Sequence, residues 1–197
     1  MNLLKPIKVG KITLKNRIMF PPMTTGYEER DGSIGEQSFN FYKRLAQGDV
    51  AYIVLSTDMA FRWSCTDASS GDERVNASPR FSRLGIQIFH PEYDVDALAE
   101  LFRKGDMQAA RAKLHHDMLH YIDEVTEAQL TAIIDKIGAC VKRAAAAGVD
   151  VIEVHGDRLV GSLCSTILNH RNDNYGGSFE NRIRFALEVV KVIIENA

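Results

Sequence analysis

The stretch Asp150–Arg182, DVIEVHGDRLVGSLCSTILNHRNDNYGGSFENR, constrains the fold of this chain more than any other. An apolar run ends at His155-Gly156. A polar loop with Arg171, Asp173, Tyr175, Gly176 and Gly177 follows, and a helix begins near Ser178. A buried strand, a loop carrying ionisable groups and an amphipathic helix make one unit of a parallel α/β fold. In such folds the loop after the strand is where chemistry gathers.

The same alternation runs through the rest of the chain. Ile7–Val9 and Ile12–Leu14 read as a small hairpin about Gly10, and Arg17–Phe20 as a short strand stopped by Pro21-Pro22, since proline gives no ladder donor. The spacing of Phe39, Tyr42, Leu45 and Ala46 predicts a helix over Gly35–Gln47. Val50–Leu55, Leu84–Phe89 and Val151–His155 are near-continuous apolar runs of parallel-sheet type. Between them, Arg62–Ser82 reads as a long surface loop, and Asp94–Lys104 and Asp106–Tyr121 as helices parted at Gly105. Thr126-x-x-Gln129 is a capping box opening the next helix, which runs to Gly148. The last helix is expected to bury Phe179, Ile183, Ala186, Val190 and Ile193. Such alternation implies parallel strands joined by right-handed crossovers. Four strands cannot close an eight-stranded barrel, so the expected architecture is a small open sheet or half of something larger, in one domain over residues 1–197.

Charge excludes some functions. With 24 Lys+Arg against 26 Asp+Glu the formal net charge is −2, and no basic patch points to nucleic acid. No apolar run approaches the ~20 residues of a membrane span, and no apolar core follows the first lysines as in a signal peptide. Three scattered cysteines, Cys65, Cys140 and Cys164, form no disulfide framework, which fits a reducing cytoplasm. His116 and His120 have a metal-compatible spacing, but no HExxH or clustered carboxylate–histidine set accompanies them, and no metal is expected.

Several residues are candidates for chemistry. After the proline-terminated strand, Pro22-Met23-Thr24-Thr25 offers backbone N–H groups and hydroxyls that can grip the edge of a planar heterocycle; an ordinary turn has the same spacing. Gln87, a carboxamide inside an apolar strand, must bond something, because an unpaired buried amide costs about 1–3 kcal/mol. A cofactor edge or a neighbouring loop backbone would serve. His155 ends a strand, where an imidazole can hold an anionic oxygen or move a proton, with Asp157 and Arg158 beside it; the alternative is a histidine bonded to a loop carbonyl. Arg171 and Asp173 read as a loop-fixing ion pair, and Ser178 as a helix cap.

Together these segments resemble the old yellow enzyme family of FMN-dependent NAD(P)H:flavin oxidoreductases and ene reductases. The likeness lies in Leu4-x-Pro6-Ile7-x-Val9-Gly10, Leu14-Lys15-Asn16-Arg17-Ile18, Pro22-Met23-Thr24, Asp31-Gly32, Glu153-Val154-His155-Gly156, and Arg171-x-Asp173-x-Tyr175-Gly176-Gly177-Ser178-x-Glu180-Asn181-Arg182. The resemblance implies a parallel (β/α) TIM barrel, of which about the first four β/α units are present. It also implies FMN at the strand ends, NAD(P)H as reductant, and hydride transfer to an activated C=C of a small-molecule substrate. Pro22, Met23, Thr24 and Gln87 fall at the family's flavin contacts. His155 falls at the first of its two ligand-oxygen residues. The second falls at Arg158, the family's proton-donating tyrosine at Val160, and a usually small residue at Asp58. Arg158 is suited to an enolate-like oxygen but not to proton donation near neutral pH. As a half barrel the chain is expected to self-associate or to take a complementary C-terminal half. A flavin-free scaffold derived from the same family is the other reading.

Overall fold

The computed structural model describes residues 2–27, 29, 34–55 and 82–197. The loop expected over Arg62–Ser82 lies outside them except for Ser82, as do Asp31, Gly32, Asp58 and Cys65. The chain divides into two units, Met1–Ile88 with Ala139–Val154 and Asn196–Ala197, and Phe89–Gly138 with His155–Glu195.

The first unit holds every strand among the described residues. β1 (Ile7–Val9) and β2 (Ile12–Leu14) pair antiparallel as the expected hairpin. β3 (Met19–Phe20), β4 (Tyr52–Leu55), β5 (Arg83–Ile88) and β6 (Val151–Val154) form one parallel sheet in sequence order. The register places Val54, Gly85 and Val151 side by side, and Gln87 opposite Glu153. Ile53, Val54 and Leu55 of β4 and Ile86 and Ile88 of β5 are buried, so both faces of the sheet are covered at these strands. Helix α1 (Glu36–Gln47) packs on β4. Asn16 fastens the hairpin to the α1–β4 turn: its Nδ2 donates to the Asp49 carbonyl at 2.6 Å, and its Oδ1 accepts from Ile18 N at 2.9 Å.

The second unit is helical, and its helices begin where local chemistry supplies a cap. α2 (Val95–Arg103) and α3 (Met107–Glu124) start after Asp94 and Asp106, whose carboxylates accept from Ala97 N at 3.0 Å and Ala109 N at 2.9 Å. Between them Gly105 sits at φ 74°, a conformation that costs a side-chain-bearing residue. α4 (Glu127–Ala146) starts in the second unit and continues into the first from Ala139, and it opens on the expected box: Gln129 N donates to Thr126 Oγ1 at 3.1 Å and Thr126 N to Gln129 Oε1 at 2.9 Å. Leu130, Ile133, Ile137, Val141 and Ala144 bury its apolar stripe.

Two expectations are corrected. The loop between His155 and Tyr175 contains a helix, α5 (Leu159–Cys164), which buries Leu159, Ser162 and Leu163. The final helix is interrupted at Ile183 into α6 (Phe179–Arg182) and α7 (Arg184–Asn196). Its buried residues are Phe185 and Val189, while Phe179 is 61% exposed and Val190 48%. The apolar residues of this helix cover more than half its circumference, so periodicity alone left the buried face open. Side chains of α6 are also bonded back to the preceding loop: Asn181 Nδ2 donates to the Asp173 carbonyl at 3.3 Å, and Arg182 Nη1 to Gly177 O.

Thr126→Ala removes one half of the capping box without touching the core. It is expected to cost about 1 kcal/mol, read as a lowered urea midpoint at unchanged slope; an unchanged midpoint contradicts the assigned cap.

Candidate functional site

In the first unit, Pro22, Met23 and Thr24 follow the two-residue strand β3 after Pro21, at the C-terminal edge of the parallel sheet. Met23 and Thr24 are exposed and Pro22 is half-buried. Gln87 stands at the penultimate position of β5 and is only 9% exposed. Its Nε2 donates to Glu153 Oε1 on β6 at 2.6 Å. The partner required by a buried carboxamide is therefore a carboxylate on the next strand, an arrangement that sequence reasoning missed. The available signal was Glu153 itself, one charge in the otherwise apolar run Val151–Val154. On the same face Tyr52 has its hydroxyl pushed above its ordinary value by burial and then by the Glu153 charge.

In the second unit, His155 follows the last residue of β6 and is half-buried. Its Nδ1 lies 2.6 Å from Asp157 Oδ1. A carboxylate only accepts, so the Nδ1 proton is held there and Nε2 is the nitrogen left for a ligand. The Phe89 ring lies against the imidazole with centroids 5.9 Å apart. Arg158 is the exposed N-cap residue of α5, and its carbonyl accepts from Ser162 N at 2.9 Å. Gly161 must be glycine here, because a Cβ would stand 2.0 Å from the Gly156 carbonyl oxygen. That close approach seats α5 against the His155-Gly156 turn.

The Arg171 loop is structural, as its ion-pair reading anticipates. Arg171 is 7% exposed. Its Nε donates to Asp173 Oδ1 at 3.1 Å and its Nη2 to Asp173 Oδ2, while Nη1 donates to Ile122 O at 2.8 Å and to Val125 O. Burial pulls the Asp173 carboxyl upward, but the Arg171 hydrogen bond, the Tyr175 N–H and the Arg171 charge together hold it below its ordinary value. Tyr175 donates to Glu188 Oε2 at 2.9 Å, and burial and that bond push its hydroxyl up to about 12. Gly176 lies so close to the loop that a Cβ would meet the Arg171 carbonyl oxygen at 2.2 Å.

A family profile described as "NADH:flavin oxidoreductase / NADH oxidase family" matches residues 2–197. A bilirubin reductase of Mediterraneibacter gnavus is 65% identical over 100% of this chain and 32% of its own length. An NADPH dehydrogenase of Bacillus pumilus is 32% identical over 98% of this chain and 60% of its own. The crystal structure of Old Yellow Enzyme from Pichia sp. AKU4542 superposes with a TM-score of 0.75 at 25% identity, covering 99% of this chain and 56% of that one. The fold is thus α/β of the parallel TIM-barrel type, with four parallel strands among the described residues. The chain spans between about a third and three-fifths of the length of these relatives. No helix among the described residues is long and apolar enough to cross a membrane.

Two outcomes test the loop. Asp173 has a lowered folded-state value, so the unfolded chain binds its proton more readily, and the ion pair contributes stability above the ordinary carboxylate value of about 3.9. That contribution fades as pH falls through the lowered value. Asp173→Asn should be less stable at neutral pH and should lose this part of the acid dependence; parallel stability–pH curves for the two proteins would contradict the pairing. Gly176→Ala, forced against backbone, is expected to lose about 1–3 kcal/mol in denaturant unfolding.

Proposed function

Because the chain belongs to the NADH:flavin oxidoreductase / NADH oxidase family, we propose that it carries part of the site of an FMN-dependent oxidoreductase. The proposed reaction passes hydride from NAD(P)H, by way of the flavin, to an activated C=C bond. The observation that carries this reading is the family match over residues 2–197, which includes every candidate site residue. FMN with NAD(P)H is the cofactor pair of this family. When bound, FMN would supply reversible hydride acceptance and donation, which no side chain offers. The donor set fits it. The nearly buried Gln87 carboxamide, the Thr24 hydroxyl and the backbone after Pro22 and Met23 provide the donors and acceptors that the edge of a flavin ring requires.

In this reading His155, oriented by Asp157, holds the oxygen that activates the substrate double bond. Arg158 offers an exposed, permanently charged guanidinium, suited to an enolate-like oxygen or a substrate carboxylate and unsuited to giving a proton. A substrate with conjugated double bonds, a carbonyl and carboxylates would use both groups. Bilirubin, taken from the name of the relative 65% identical to this chain, has all three and is the substrate of choice for a first assay. The reading also assigns the grip on the FMN phosphate to a complementary segment, consistent with the greater length of the relatives.

The test is a visible spectrum of the purified protein with added FMN, followed by anaerobic NADH or NADPH and then bilirubin. Bleaching of the flavin by the nicotinamide and its return on bilirubin addition is the expected result; a protein that takes up no flavin, alone or with a complementary segment, overturns the reading. In protein that holds FMN, His155→Ala should weaken binding of a phenol by about 1.5–3 kcal/mol, read from charge-transfer absorbance, with little change in FMN occupancy. Equal phenol affinity in the two proteins removes His155 from the ligand site.

A further inference from the structure

The parallel sheet of the first unit carries an acidic side chain where a barrel-type strand usually carries an apolar one. Glu153 is half-buried on β6, directly opposite Gln87 in the ladder. The level below is filled by small and branched groups: a Cβ on Gly85 would lie 3.2 Å from Val54 Cγ2 and 3.4 Å from Val151 Cβ. At this level the sheet face is therefore tight and apolar, and at the next it changes to a carboxylate–carboxamide pair. A half-buried carboxylate is costly to keep unless it receives a good hydrogen bond. The 2.6 Å bond from Gln87 Nε2 is such a bond, and its chemistry has a consequence for Gln87.

An amide side chain can turn over, exchanging its donor and acceptor ends. Beside a carboxylate it cannot, since oxygen facing oxygen would replace a hydrogen bond by repulsion. Glu153 thus fixes the nitrogen of Gln87 on its own side and the carboxamide oxygen on the other. We infer that Glu153 is the positioning residue for Gln87, fixing its carboxamide so that an acceptor oxygen meets a ring N–H such as that of the flavin's imide edge. This rests on the reading of Gln87 as a flavin contact.

The experiment compares wild type, Glu153→Ala and Glu153→Gln by two measurements. The first is the side-chain amide resonance pair of Gln87 in ¹⁵N-labelled protein without ligand, assigned with Gln87→Ala. Wild type and Glu153→Gln, which both keep an acceptor at residue 153, should show a shifted, exchange-protected N–H, and Glu153→Ala should lose it. The second is FMN affinity by fluorescence quenching. A fall of about tenfold or more in Glu153→Ala, with less than about threefold in Glu153→Gln, is expected for the loss of one oriented hydrogen bond. Urea midpoints separate this from general destabilisation, which would not be rescued selectively by glutamine. Gln87 resonances that ignore Glu153→Ala overturn the inference, as does equal FMN affinity in all three proteins. A wild-type protein whose Gln87 amide responds to Glu153 but which takes up no FMN, alone or with a complementary segment, instead sinks the flavin reading, and with it the ligand half of the inference.

Discussion

A guanidinium survives burial only when its N–H groups find acceptors, and the second unit is built around one that does. The Arg171 guanidinium makes four hydrogen bonds: two to the Asp173 carboxylate, and one each to the carbonyls of Ile122 and Val125. Those carbonyls lie in the last turn of α3 and at its C-cap, where helical acceptors have no intrahelical donor. One side chain therefore satisfies the end of one helix and ties a loop 46 residues away to it. Taking the Arg171 side chain away would leave a half-buried carboxylate without its cation and two carbonyls without this donor, which is more damaging than replacing all the partners together.

The rest of the loop is arranged around that anchor. Asp173, while paired to Arg171, also accepts from Tyr175 N at 3.0 Å. Asn169 donates through Nδ2 to Leu163 O at 2.6 Å and to Tyr175 O at 2.8 Å, and its Oδ1 accepts from Arg171 N at 3.0 Å. Gly176 leaves no room for a side chain against the Arg171 backbone. The residues of the Arg171–Arg182 motif thus have a structural account that needs no ligand. In the proposed function the motif holds the segment after His155 in shape, and the ligand contacts belong to His155 and Arg158.

The first unit solves a different problem. One face of its sheet is filled by the buried side chains of Ile53, Leu55, Ile86 and Ile88. The other face carries Gln87 and Glu153, two polar groups that tolerate burial because each satisfies the other. Polar pairs of this kind do not strengthen a sheet much. They place a defined hydrogen-bonding group at the end of a strand, which an apolar pair cannot do.

Much of this was legible in the sequence because the signals are local. Asp94, Asp106, Thr126 and Ser178 cap helices with their own near neighbours. Pro21-Pro22 end a strand through missing donors, and the β1–β2 hairpin follows from alternation about Gly10. These depend on residues within about one turn of each other, so the chain by itself determined them. It also determined the parallel α/β class, since apolar runs alternating with amphipathic helices have few other ways to bury both. Tertiary structure decided the rest. The buried face of α7 was set by what lies against it, because its apolar residues allow more than one face. α5 lacks a side-chain cap and is too short for a helical period to stand out. The partner of Gln87 lies 66 residues away, and Glu153 faces it only because β5 and β6 pair in a register that puts Gly85 beside Val151. A shift of one residue would turn Glu153 to the opposite face.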